Sequence, residues 1–156
     1  MKIEKEIEII NQMSHLSNKY GFDFVLKLHP RDDVDLYRQN LHEVIIDNNS
    51  NTTEIIAQSR FVIGNFSTAL FTAVIFNKVI LIMNFGDILT DAINTFTEVG
   101  EVFHNMYEYE NILKSKNDFD KKRINYDNFR NNYIGYNNNN YFRASKINEI
   151  ASKFYN

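Results

Sequence analysis

Two short groups of residues carry the chemistry this sequence can offer. Lys27-Leu28-His29-Pro30 sets an imidazole beside the only proline, and Gly64-Asn65-Phe66-Ser67-Thr68 sets two hydroxyls just beyond a glycine. An imidazole donates a hydrogen bond to an anion when neutral and adds positive charge when protonated. Hydroxyls at a helix start stand among unsatisfied backbone N–H groups at the positive end of the helix dipole, where a phosphate is stabilised. Glycine at position 64 would let such a ligand approach the backbone. Each group has a plainer role when taken singly: a surface histidine at a turn, and ordinary N-capping by Ser67 or Thr68. Together they describe a cradle for the phosphate of a nucleotide, provided both lie at the same edge of one sheet.

Two further residues fit that cradle. Glu54, in the first turn after Thr52-Thr53, would accept hydrogen bonds from ribose hydroxyls; its plainer role is a carboxylate near a helix N-terminus. Lys27 shares a strand face with His29 and would reach a base or phosphate, or else simply cover apolar surface with its stem. His42 and His104 lack partners at ligand spacing, and Asp32, Asp33 and Asp35 lack a second cluster to pair with, so neither a metal site nor a cofactor is expected. The absence of cysteine excludes disulfides, thiolate ligands and a cysteine nucleophile, and fits a cytoplasmic setting.

The elements needed to position these groups follow from apolar spacing and turn chemistry. Lys2 to Lys19 spaces Ile3, Ile7, Ile10, Met13 and Leu16 as one helical stripe, with Gly21 as its stop. Phe24 to Leu28 reads as a strand ended by Pro30, and Asp32 or Asp33 opens a short helix through Asn40. Glu43 to Ile46 makes a second strand before the turn Asp47-Asn48-Asn49-Ser50, and Thr52 to Ser59 a second short helix. Phe61 to Ile63 is the third strand, Ser67 to Phe76 an apolar helix, and Val79 to Ile82 the fourth strand. Strands that are continuous apolar runs belong to parallel sheets covered on both faces. The expected fold is therefore α/β, a Rossmann-like doubly wound parallel sheet, with His29 and Ser67-Thr68 at its carboxyl edge. Phe85 to Phe103 reads as a loop with short helical pieces. Glu108 to Lys116, Tyr126 to Tyr133 and Phe142 to Phe154 read as helices, with Asn137 to Asn140 as an exposed linker.

At 156 residues the chain has room for one substantial core, so residues 1–156 are expected to form one domain, with 105–156 as peripheral helices. The apolar stretch from Phe61 to Met83 is broken by Asn65, Ser67, Asn77 and Lys78, which favours strand, helix and strand over a membrane span. A net charge of −3 argues against general nucleic-acid binding. Charge is unevenly placed: −8 over residues 1–113 and +5 over 114–156. The basic, aromatic end, with Lys121-Lys122-Arg123, Arg130, Tyr133, Tyr136, Tyr141, Phe142 and Arg143, suggests peripheral contact with an anionic inner leaflet. Solvated helices are the simpler reading and the favoured one.

With these residues assembled, the chain resembles the carboxyl-terminal half of bacterial sialyltransferases and polysialyltransferases of GT-B architecture. Those enzymes carry a His-Pro motif and, farther along, a Ser-Ser or Ser-Thr motif at a helix start. Lys27-Leu28-His29-Pro30 and Asn65-Phe66-Ser67-Thr68 match them in order and spacing, within a resembling stretch of roughly Phe24 to Met83. The resemblance implies that His29 contacts the phosphate of CMP-sialic acid and assists departure of CMP, that Ser67 and Thr68 hold the same phosphate, that Glu54 takes the ribose and that Lys27 lies near cytosine. It also implies inverting transfer to a surface glycan such as capsule or lipooligosaccharide. In the resembled enzymes a general base sits on an acidic motif of an amino-terminal domain. Glu4, Glu6 and Glu8 do not form that motif, so the chain reads as a donor-nucleotide domain needing a separate acceptor domain. A CDP-glycerol or capsule polymer transferase shares the layout, and a noncatalytic α/β binding module is the alternative from another class.

Overall fold

The run Val79-Ile80-Leu81-Ile82 has no polar residue to turn toward water, and in a computed structural model of the chain it lies at the centre of a parallel sheet. The structure describes residues 3–65, 67–86, 95–115 and 125–134. In chain order these form α1 (Ile3–Lys19), β1 (Val25–Lys27), α2 (Val34–Asn40), β2 (Ile45–Asp47), α3 (Thr52–Gln58), β3 (Phe61–Gly64), α4 (Thr68–Ile75), β4 (Val79–Met83), β5 (Gly100–Phe103), α5 (Met106–Lys114) and α6 (Tyr126–Phe129). A π-type turn over Arg130–Ile134 continues α6. The expected helix Phe142 to Phe154, the linker Asn137 to Asn140, and Lys121 to Arg123, Tyr136, Tyr141 and Arg143 lie outside the described residues.

The fold is α/β with parallel strands, as the apolar runs imply. Its strands do not form one ladder. Among the described residues, β1 pairs with β2 in one sheet, and β3, β4 and β5 pair in that order in another. The chain accordingly divides into two compact units, residues 1–52 with 105–116 and residues 53–104 with 117–156.

In unit 1, Val25, Leu26 and Lys27 stand opposite Ile45, Ile46 and Asp47. Leu28, Ile10, Tyr37 and Leu41 form a small core. The stripe expected on α1 is rotated: Ile9, Ile10, Met13, Ser14 and Ser17 are buried, while Ile3 is exposed. Serines are invisible to a hydrophobicity pattern, yet Ser14 Oγ donates to the Glu43 carbonyl at 2.5 Å, and Ser17 Oγ shares a hydrogen bond with the Tyr109 hydroxyl at 2.7 Å. Glu43, expected in a strand, has φ of 57°, a left-handed conformation no strand admits. β2 therefore begins two residues later.

In unit 2, the side chains of Leu70, Phe71, Ala73 and Val74 on α4 pack with Ile80 and Ile82 of β4 and with Phe96, Tyr126 and Phe129. β5 replaces the loop expected at the end of Phe85 to Phe103, while residues 95–99 are helix and turn and 87–94 lie outside the described residues. Only four residues long, β5 is bounded by Gly100, where a Cβ would come within 3.0 Å of Ile80 and Ile82 side-chain atoms. Within 105–134, Tyr109 and Leu113 are buried in unit 1 and Tyr126 and Phe129 in unit 2. No described helix is long and apolar enough to cross a membrane.

Candidate functional site

His29 stands two residues beyond the end of β1, exposed, in a turn closed by three hydrogen bonds. Its backbone N–H donates to Asp32 Oδ2 at 2.7 Å, its carbonyl accepts from Asp32 N–H at 2.9 Å, and its Nδ1 accepts from Arg31 N–H at 3.1 Å. Pro30 supplies the fixed φ such a turn needs. Because Nδ1 is an acceptor, the neutral ring carries its proton on Nε2, which makes Nε2–H the donor available to an anion. Asp33, next in the chain, accepts from the N–H groups of Asp35 and Leu36 and starts α2.

Lys27 is held rather than free. Its Nζ lies 3.3 Å from Asp47 Oδ1, across the β1–β2 register. Asp47 also accepts from Ser50 Oγ at 2.5 Å, from Ser50 N–H at 2.8 Å and from Asn49 N–H at 3.1 Å. These bonds, led by those from Ser50, hold its carboxyl at about 2, well below the usual carboxylate value. Asp47, a plain turn former by sequence, is therefore the organiser of the loop after β2, and Asp32 that of the loop after β1.

In unit 2, Ser67 caps α4. Its extended backbone and the hydrogen bond from Ala69 N–H to its Oγ at 3.1 Å leave Thr68 as the first helical residue, exposed, with Ser67 half-buried. The hydroxyls thus stand at a helix N-terminus, as the sequence implies. Gly64 ends β3, and a Cβ there would meet Leu70 at 3.5 Å, an ordinary contact, so packing does not itself demand glycine. Glu54 is exposed in the first turn of α3. The far end of α4 is braced: Arg130 Nη2 donates to the Val74 carbonyl at 2.7 Å and to Asn77 Oδ1, while its Nη1 donates to Asp127 at 2.8 Å. The Tyr126 hydroxyl donates to the Lys78 carbonyl at 2.6 Å.

Unit 1 therefore holds Lys27, His29 and Pro30 at the carboxyl end of its sheet, and unit 2 holds Gly64, Asn65, Ser67 and Thr68 at the carboxyl end of its own, with Glu54 on α3. Asn84, which follows β4, belongs to neither sequence motif; its side-chain oxygen is buried without a hydrogen-bond partner, as is that of Asn65. Its position just after an apolar strand is the signal that could have singled it out. No group of acidic or histidine side chains suited to a metal occurs among the described residues.

The candidate site residues from Lys27 to Asn84 fall within a family match. Residues 1–84, just over half of the chain, match the family described as alpha-2,8-polysialyltransferase (POLYST). The chain belongs to the alpha-2,8-polysialyltransferase family. It is accordingly related to glycosyltransferases of the sialyltransferase type, a family that suggests a nucleotide-sugar donor and a glycan acceptor. The polysialyltransferase match begins at residue 1 and so takes in α1, ahead of the stretch from Phe24 to Met83 where the motif resemblance lies. No curated protein and no solved structure matches the chain.

Proposed function

We propose that this chain binds the donor of a sialyl transfer, CMP-sialic acid or a close cytidine relative, as the nucleotide-binding part of a GT-B enzyme. The observation that carries the reading is the polysialyltransferase match across a stretch containing both the His29 turn and the Ser67 cap. On this reading His29 Nε2–H is offered to an anion at the carboxyl end of β1, and the Ser67-Thr68 helix start holds the donor's phosphate. Negative charge growing on that phosphate as the anomeric carbon leaves CMP is then met by fixed donors. Glu54 takes the ribose, and Lys27, steadied by Asp47, lies toward the base.

Displacement with inversion also needs a base to take the proton of the acceptor hydroxyl. By the family resemblance that base sits on an acidic motif of a separate acceptor domain, to which the glycan acceptor is assigned as well. A CDP-glycerol-type donor would use the same phosphate contacts, but the family match favours the sialyl donor.

Calorimetric titration with CMP, CMP-sialic acid, CDP and UDP tests the reading. Binding of the cytidine nucleotides, weakened about ten- to a hundredfold by His29→Ala or Ser67→Ala, is the expected result, since each variant removes a hydrogen bond to a charged group. Affinity unchanged in both variants would leave a noncatalytic α/β module as the better description. Peripheral membrane contact through the basic end is tested by liposome sedimentation with and without salt.

A further inference from the structure

Two side-chain oxygens in unit 2 are shielded from solvent and yet have no hydrogen-bond partner: Asn65 Oδ1 and Asn84 Oδ1. A buried acceptor left unpaired is destabilising, because its hydration is lost and nothing replaces it. These two are not scattered. Asn65 directly follows β3 and Asn84 directly follows β4, and the two strands are parallel, hydrogen-bonded neighbours with Gly64 opposite Ile82. Neighbouring strands lie about 4.8 Å apart and rise about 3.3 Å per residue; continuing the register sets Asn65 level with Met83, so Asn84 begins one residue farther along the same sheet edge. That edge is the carboxyl edge, where open α/β sheets take their ligands, and Ser67 opens α4 two residues past Asn65. Both asparagines are only half-buried, so part of each remains reachable. A half-turn of a carboxamide exchanges its oxygen and nitrogen, and no hydrogen bond to either oxygen opposes that turn.

We propose that Asn65 and Asn84 are a specificity-determining pair that reads an uncharged ligand edge carrying a donor and an acceptor side by side. The inference rests on the nucleotide-binding reading above and assigns Asn84 a role in it. A carboxamide offers an acceptor and donors in one plane and matches such an edge with two hydrogen bonds at once. A phosphate offers acceptors alone and would leave both Oδ1 atoms unpaired. Strength of binding then comes from the phosphate contacts at Ser67 and Thr68, and selectivity from the two amides, since a site with unmet polar groups rejects a ligand unable to meet them. A cytidine-activated sialic acid carries two edges of this kind, the amino-pyrimidine edge of cytosine and the N-acyl amide of the sugar.

The test is calorimetric titration of the full chain, Asn84→Leu and Asn65→Leu with CMP, UMP, CMP-sialic acid and its analogue lacking the N-acyl group. If cytosine is read, the parent chain prefers CMP to UMP by about tenfold and the variants narrow that gap. If the N-acyl amide is read, the gap that narrows lies between CMP-sialic acid and its analogue. Either narrowing supports the pair, and two unchanged gaps overturn it while the nucleotide-binding reading stands. A parent chain that binds no cytidine nucleotide defeats both readings together. Thermal melting without ligand separates a structural role: Asn84→Leu is expected to keep or raise Tm, because it removes an unsatisfied acceptor. A lowered Tm with unchanged selectivity assigns Asn84 to structure and overturns the proposal. Asn84→Asp, nearly equal in shape but unable to donate when ionised, supplies the same comparison if the leucine variant does not fold.

Discussion

Unit 1 and unit 2 both set short parallel strands against helices, yet different forces hold them. In unit 2, four of the five β4 residues are buried, and Phe71, Phe96 and Phe129 form a cluster with ring centroids 4.9 to 5.9 Å apart. In unit 1, Val25 and Ile45 remain 42% and 54% exposed although they face each other in register. To its small apolar core it adds polar long-range ties: Tyr37 to Glu6, Ser14 to the Glu43 carbonyl, and Lys19 and Tyr20 to Glu110. The position of Ser67 thus depends on how well volume is filled, and that of His29 on which groups are ionised.

The sharpest way to break this contrast is a cavity. Phe71→Ala should cost unit 2 about 3–5 kcal/mol, the usual range for a buried aromatic, measured by urea unfolding. A smaller loss would mean that the cluster collapses around the gap. Overfilling comes next. Gly100→Ala places a Cβ 3.0 Å from Ile80 Cγ2 and Ile82 Cδ1, and about 1–3 kcal/mol of destabilisation is expected in the same assay. A neutral result would show those isoleucines free to shift.

Helix caps sharpen the comparison on equal chemistry. Asp33→Ala in unit 1 removes an acceptor of two N–H groups and Ser67→Ala in unit 2 an acceptor of one, so each should cost about 1 kcal/mol, Asp33 the more. Equal costs would say that the second bond to Asp33 adds nothing.

Acid is the gentlest probe. The carboxyls of Asp47 and Glu110 both sit at about 2, Asp47 through Ser50 foremost and Glu110 through Lys19 foremost. Groups depressed by folding stabilise it above their unfolded pKa and lose that contribution as pH falls toward the folded value. Unit 1 should therefore weaken between about pH 4 and pH 2, with amide exchange rising on α1 and β1 before β4. Asp47→Asn should flatten that loss, and simultaneous exchange in both units would count against separate forces.

Much of this was legible in sequence. Val79 to Ile82 could only be a covered strand, Pro30 could only end one, and Asp33 and Ser67 announced helix starts that the structure places within a residue. What escaped was set by tertiary contact. β5 has the sequence Gly-Glu-Val-Phe, too short to show a period, and it exists because β4 offers a ladder. Ser14 and Ser17 are buried because a carbonyl and a phenol meet them there. The candidate ligand residues were legible by type and element, whereas the engagement of Lys27 by Asp47 depends on a register that pattern alone does not fix.

The chain enters unit 1, passes to unit 2, returns to unit 1 for residues 105–116 and finishes in unit 2. During vectorial synthesis the amino-terminal part of a protein ordinarily folds first. Here the unit begun first cannot be finished until Tyr109 and Glu110 have emerged to meet Ser17 and Lys19, and the other must wait for Phe129. Neither unit is a contiguous gene segment, so recombination that moved one alone would carry off half of its neighbour's supports.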